Sequence, residues 1–429
     1  MLITRPGRNR SNCPRRIDPD SAASVLLEKD TVVIGHGGAW PRRFVESMVQ
    51  QASVQFTIVH NRIDDDLPYF TEQGAQCARH IGFMAGHATR GHIADGAADF
   101  VPNCYGLTPR LLRSCSIDCD VVVLHVSPPD DGGWCSLGAC VAYLPAAVER
   151  ARVVIAQINL QMPRTTGTAI HISALDYVSE VNEPLLEITP PPPDATTEAI
   201  ARQLADFVQD GSVLQLGIGK LSDAILASCS GKRDLRLWTE TFSDSALALL
   251  KKGAITSGPD GEPAITATFV TGSAELYKTI DGSQELVMLP VDVTNNPATL
   301  QTLHRFVAIN SAIEVDLTGQ INAESIRGGL YSGSGGHLDF AIGANYSAEG
   351  RYICALPSMA RSKSRIVPRL ATGAMVTVPR SLADVVVTEF GVAELRGLTL
   401  RQRAEVLIEI AHPDQRAALR AAIDQRPDQ

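Results

Sequence analysis

The sequence predicts an α/β protein built from two similar halves, each with a largely parallel sheet. Three observations carry this expectation. Apolar β-branched runs alternate with helix-like stretches along the chain. The run Thr189–Asp194, TPPPPD, interrupts the alternation, because consecutive prolines fit neither a helix interior nor a central strand. Each half opens on a strand, a glycine turn and a helix: VVIGHGGAWPRRFVESMV in the first, VLQLGIGKLSDAILASCS in the second.

In the first half, Thr31–Gly35 reads as a strand, followed by an amphipathic helix over Arg42–Ser53. Val121–Val126 and Val153–Ile158 read as buried strands, with a helix over Leu144–Arg150 between them. After the prolines, Thr196 or Thr197 is the expected N-cap of a helix with its body at Glu198–Val208. Strands follow at Ser212–Leu216, Leu235–Thr239 and Val385–Thr388, with helices at Ser243–Lys252 and Leu400–Ile410. The expected organisation is a disordered tail over residues 1–16, a first domain over 17–189, a stiff spacer over 190–194 and a second domain over 195–429.

Composition bounds the function. Of 429 residues, 45% are hydrophobic and 20% charged, ordinary values for a globular protein with a substantial core. The formal net charge of -9, with no basic face visible beyond a short Arg-rich start, argues against a nucleic-acid partner. Long apolar runs are absent, so no membrane partner is expected, and residues 1–16 lack the apolar core of a secretory signal. The nine cysteines form no CxxC pair and no histidine-matched pair. Reduced thiols, a cytoplasmic location and no metal site are the expectation. Walker A, GxSxG and HExxH patterns are missing too.

Glu240 falls between a strand and a helix, at the carboxyl end of the strand, where open α/β sheets bind ligands. A first-turn acid complementing the helix dipole is the plainer alternative. Gly217 and Gly219 open a helix whose backbone N–H groups suit an anion, or they simply make a tight turn. The SGSGGHLDF stretch, with Gly333, Gly335 and Gly336, is either a solvated loop or a backbone shaped for close approach to a ligand. Asn295 and Asn296 precede Pro297 and suit a turn or an amide donor to an oxyanion. The basic run Arg361–Arg369, with Lys363 and Arg365, is either a solvated loop or a holder of phosphates.

Taken together and in order, these segments resemble the acetyl-CoA hydrolase/transferase family, which includes 4-hydroxybutyrate CoA-transferases. The resemblance runs from about Ile17 to Ala422 and rests on INLQMPRTTG, LGIGKLSDAIL, WTETFSD, INSAIEVDLTGQINAESI, SGSGGHLDF, SRIVPRL, VVVTEFGVAELRG and IAHPDQR. It implies two tandem NagB/CoA-transferase-like α/β domains with the active site at their interface. It further implies Glu240 as the nucleophile, Asn295 as the oxyanion donor of a D-V-x-N-x-P segment, and the Gly336 N–H as a second donor. Thr241 stands where the family usually has Met or Val, and Ile342 where an Arg is frequent.

The activity expected from the resemblance is CoA transfer between an acyl-CoA and a small carboxylate, by way of glutamyl anhydride and glutamyl-CoA thioester intermediates. Acyl-CoA hydrolysis on the same scaffold, or CoA binding without catalysis, are the alternatives. Coenzyme A enters as a substrate, with no permanent cofactor, and is expected on Gly217, Gly219, Gly333, Gly335, Gly336, Lys363 and Arg365. An acyl pocket is expected from the first half, lined by Gly38, Trp40, Tyr105 and Trp134. A homodimer is the expected assembly.

Overall fold

The computed structural model describes residues 1–5, 13–189, 191–259 and 261–424, and its chain forms two units. One unit comprises Met1–Thr189, Thr241–Asp244 and Thr266–Thr294; the other comprises Pro190–Glu240, Ser245–Ile265 and Asn295–Gln429. The first unit therefore reaches into the stretch assigned by sequence to the second domain. Backbone hydrogen bonds explain why. The N–H groups of Val141 and Ala142 both reach Thr268 O, at 2.9 and 3.2 Å, and Val291 N–H reaches Ala142 O at 2.9 Å.

Eight parallel strands make the sheet of the first unit. They are β1 (Arg15–Arg16), β2 (Thr31–Ile34), β3 (Phe56–His60), β4 (Ala78–Gly82), β5 (Ala98–Phe100), β6 (Val121–Val126), β7 (Val153–Asn159) and β8 (Tyr177–Val181), in spatial order β1-β8-β7-β6-β2-β3-β4-β5. Every residue of β6 and β7 is buried, as continuous apolar runs in a parallel sheet require. Each fully buried Val, Ile or Leu there contributes roughly 1.5–3 kcal/mol. Helices α1 (Arg42–Gln51) and α2 (Leu144–Arg150) stand at the two places expected for them.

The start of the chain departs from the expected disorder. Leu2–Ile3 pairs in parallel with Ala169–Ile170, and β1 pairs with Tyr177–Val178. Arg5 Nη1 lies 2.6 Å from Asp176 Oδ2, and its Nη2 donates to Ala151 O at 2.8 Å. The arginines that suggested a solvated tail are thus partly anchors, while residues 6–12 of that stretch lie outside the described residues.

In the second unit, β9 (Val213–Leu216), β10 (Arg236–Trp238), β11 (Phe306–Ser311), β12 (Arg351–Ala355), β13 (Val385–Thr388) and β14 (Gly391–Glu394) run in the order β10-β9-β11-β12-β13-β14. All pairings are parallel except β13 with β14. Helix α3 (Ala195–Leu204) starts earlier than expected, because Asp194 is its N-cap. Asp194 Oδ1 accepts from Thr197 N–H at 2.9 Å and Thr197 Oγ1 accepts from Asp194 N–H at 2.9 Å, a reciprocal box in which the cap is worth about 1 kcal/mol. Phe306, Phe340, Tyr352 and Leu407 are among the side chains that fill the core of this unit.

Among the described residues, no helix is long and apolar enough to cross a membrane, and no disulfide forms.

Candidate active site

The site begins where β10 ends. Thr239 follows the strand, and its Oγ1 donates to Leu216 O at 2.9 Å, fastening the end of β10 to the end of its parallel neighbour β9. Glu240 comes next, so its backbone is fixed at the carboxyl edge of the sheet. It is also the last residue of its segment of the second unit, and Asn295 is the first residue of a later one.

The two asparagines divide the roles that sequence left open. Asn296 caps helix α6 (Pro297–Leu300), its Oδ1 accepting from Ala298 N–H at 2.9 Å. Asn295 is fully buried, and its Nδ2 donates to Glu240 Oε1 at 2.6 Å. Between Asn295 and Glu240 the chain forms helix α5 (Asp244–Lys251) and returns through the first unit, so this contact joins residues 55 positions apart.

The glycine loop supplies the third member. Tyr331 and Ser332 N–H groups donate to Glu324 O, and Gly335 turns the backbone with φ 52°. Gly336 then caps helix α7 (His337–Tyr346). A Cβ at position 336 would overlap Glu240 Oε1 and Asn295 Nδ2, so only glycine lets the three groups meet. The Gly336 N–H donates to the Glu240 carboxylate.

Burial pushes the Glu240 carboxyl up to about 7, opposed by the hydrogen bonds from Asn295 and Gly336 and reinforced by the negative charge of Asp339. Glu240 keeps part of its surface open, whereas Asn295 and Asp339 are buried. An ionised carboxylate with two donors aimed at it, poised to titrate near neutrality, is the chemistry of a nucleophile or general base.

The other candidate residues fall elsewhere. Gly217 and Gly219 lie on the exposed to half-buried loop after β9; Gly219, at φ 109°, caps helix α4 (Lys220–Ser228). Lys363 is exposed on a short hairpin. Arg365 is not on a solvated loop: its Nη1 donates to Ala312 O at 3.1 Å, its Nε is buried without a hydrogen-bond partner, and burial lowers its pKa. Ordered strand pairing beside it draws the side chain inward, since Val315 pairs with Ile366.

The four acyl-side candidates belong to the first unit. Trp40 is 3% exposed and packs in the apolar core with residues such as Phe44. Tyr105 is buried, with its hydroxyl 2.6 Å from His36 Nε2. Gly38 lies against Tyr277, whose hydroxyl a Cβ would overlap. Trp134 alone of the four is half-buried, its ring edge-on to His171 at 5.0 Å. Asp339 was missed by sequence reasoning; its signal is an acid in the first turn of the helix that the glycine loop opens.

Family models match both parts of the chain: the acetyl-CoA hydrolase/transferase N-terminal domain over residues 15–190 and the C-terminal domain over residues 272–423. The chain belongs to the acetyl-CoA hydrolase/transferase family. Enzymes of this family transfer CoA or hydrolyse acyl-CoA, and the chain is one of them. It is 38% identical over 410 residues to the 4-hydroxybutyrate coenzyme A transferase of Clostridium kluyveri, covering 94% of this chain and 96% of that one. Among solved structures it is similar to a 4-hydroxybutyrate CoA-transferase from Porphyromonas gingivalis, at 35% identity and TM-score 0.82, with 96% and 98% of the two chains covered. It is also similar to RipA from Yersinia pestis, at 29% identity and TM-score 0.87, with 96% and 97% covered. The two-domain CoA-transferase fold expected from the sequence is therefore the fold of this protein.

Proposed function

We propose that the protein is an acyl-CoA:carboxylate CoA-transferase working by a ping-pong route through Glu240. The observation that carries this reading is the meeting of the Glu240 carboxylate with the Asn295 amide and the Gly336 N–H. Glu240 attacks the thioester carbonyl of the donor, giving an acyl-glutamyl anhydride and CoA thiolate. The thiolate then attacks the glutamyl carbonyl, releasing the donor carboxylate and leaving a glutamyl-CoA thioester. The acceptor carboxylate takes the reverse path. Each addition passes through a tetrahedral oxyanion, and a single well-aimed donor there is typically worth about 3–4 kcal/mol. Asn295 and Gly336 are the proposed donors, held in place by burial rather than by reorganisation.

Coenzyme A is assigned to the second unit, on the glycine loop and on Lys363 and Arg365. The buried Arg365 Nε supports this, since an unpartnered guanidinium donor suits a carbonyl or phosphate oxygen. Trp134 is assigned to the acyl side, and the working assembly is a homodimer in the cytoplasm, which sedimentation velocity and cell fractionation would check. The test of function is incubation with acetyl-CoA and a panel of small carboxylates, following both acyl exchange and free thiol. Exchange without thiol release is the expected result. Thiol release without exchange would make the enzyme a hydrolase, and neither would refute the assignment for those substrates.

A further inference from the structure

The basic run Arg361–Arg369 begins in a short hairpin, in which Met359 pairs with Ser364 and Ala360 with Lys363. Two residue pairs are too few to hold a hairpin by themselves. Its tip is unfavourable as well, because Arg361 has φ 55°, a left-handed conformation uncommon for any residue with a long side chain. The hairpin therefore keeps its shape through its two ends. On one side, Val315 N–H donates to Arg365 O at 2.8 Å, and the fully buried Ile366 pairs with Val315. On the other side stands Ser358, also fully buried. Arg365 N–H donates to Ser358 O at 2.8 Å and closes the hairpin at its base.

Glu389 fastens the Ser358 end. Its Oε2 accepts from Ser358 N–H at 2.8 Å, and its Oε1 accepts from the Ser358 hydroxyl at 2.7 Å. Both carboxylate oxygens grip one residue through charge-assisted bonds. Glu389 is itself firmly placed. It opens the two-residue turn between β13 and β14, where Thr388 pairs with Gly391. Thr388 Oγ1 accepts from Phe390 N–H at 3.1 Å and donates to Ile410 O at 2.5 Å.

We propose that Glu389 is a positioning residue for coenzyme A. By holding Ser358 it presets the hairpin, so that Arg361, Lys363 and Arg365 are arranged for the phosphate-bearing end of the coenzyme before it arrives. The inference rests on coenzyme A lying on this part of the second unit. An acid near a phosphate site weakens binding if it acts by its charge. It strengthens binding if it fixes the cations, because preorganisation lowers the ordering cost. The two roles give opposite signs.

Glu389→Ala removes both bonds and the charge. The KM for acyl-CoA and the calorimetric Kd of CoA should each rise about tenfold, with kcat within about twofold. Glu389→Gln keeps the bonds without the charge, its Oε1 accepting from Ser358 N–H and its Nε2 donating to the Ser358 hydroxyl. It should bind CoA within about threefold of the unsubstituted enzyme. Acyl-pantetheine, which lacks the nucleotide, should react with the same kcat/KM in all three proteins. Ser358→Ala should weaken CoA binding by itself and add little to Glu389→Ala.

Tighter or unchanged CoA binding in folded Glu389→Ala would overturn the proposal. So would parallel losses with acyl-CoA and acyl-pantetheine, or a Glu389→Gln enzyme as weak as Glu389→Ala. If Glu389→Ala does not fold, Ser358→Ala carries the test, and an unchanged KM for acyl-CoA there overturns it. Unchanged CoA affinity in Arg365→Ala would refute the placement of coenzyme A, and the proposal with it.

Discussion

Gly336→Ala is the smallest change that reaches the site. Its backbone φ of -89° suits alanine, so no conformational strain confounds the result. The new methyl overlaps both Glu240 Oε1 and Asn295 Nδ2, and Asn295 is buried. The 2.6 Å contact between Asn295 and Glu240 must therefore open. Overpacking of this kind costs about 1–3 kcal/mol of stability, whereas loss of an aligned oxyanion donor costs roughly a hundred- to a thousandfold in kcat. The assay is exchange of labelled acetate into acetyl-CoA, run beside urea unfolding and CoA binding. The expected result is a fall in kcat of that size with a folded protein and a small change in CoA affinity. A Gly336→Ala enzyme with kcat within a few-fold of the unsubstituted protein would refute the assembly of the three groups as the catalytic unit.

Three further outcomes follow from other residues. Arg365→Ala should weaken CoA binding by about 10- to 100-fold, because a buried charge-assisted donor is lost, while exposed Lys363→Ala should cost no more than about fivefold and only at low salt; equal effects in a titration at two ionic strengths would contradict the assignment. Trp134→Ala should shift kcat/KM in favour of longer acyl chains, and an unchanged chain-length ratio would remove Trp134 from the acyl side. His60 and His80 are buried with stacked rings 4.2 Å apart, and burial lowers both pKa values, that of His80 to about 4. The unfolded chain then binds more protons, so these groups stabilise fully above about pH 6.5 and lose that contribution as pH falls towards 4. Protection factors in β3 and β4, corrected for the fall of intrinsic exchange with pH, should decrease across that window in the native enzyme and less so in His80→Gln; parallel profiles would contradict it.

Patterns set by short-range physics were legible in the sequence. Val121–Val126 and Leu144–Arg150 stand as expected, because a continuous β-branched run and an Ala/Leu segment each have one favourable period. Cap chemistry was less legible: Asp194, at the end of the proline run, competed with two threonines, and its reciprocal partner Thr197 decided the outcome. The meeting of Glu240, Asn295 and Gly336 depends on long-range folding, and strand periodicity alone could not choose between Asn295 and Asn296; the motif resemblance did. Trp40 and Arg365 show the limit of composition. A large aromatic on a glycine turn was read as a candidate pocket lining, and an arginine in a basic run as part of a solvated loop or a phosphate holder; neither pattern shows how deeply packing buries the side chain.

Capture of the covalent intermediate would show whether Glu240 is the nucleophile. Enzyme incubated with acyl-CoA is treated with borohydride, which reduces a glutamyl thioester to an alcohol, then digested and analysed by peptide mass spectrometry. Reduction is expected at Glu240 alone, dependent on acyl-CoA, with matching loss of exchange activity and none in Glu240→Ala. An unmodified Glu240 in enzyme that still turns over, or reduction at a different carboxylate, would contradict it.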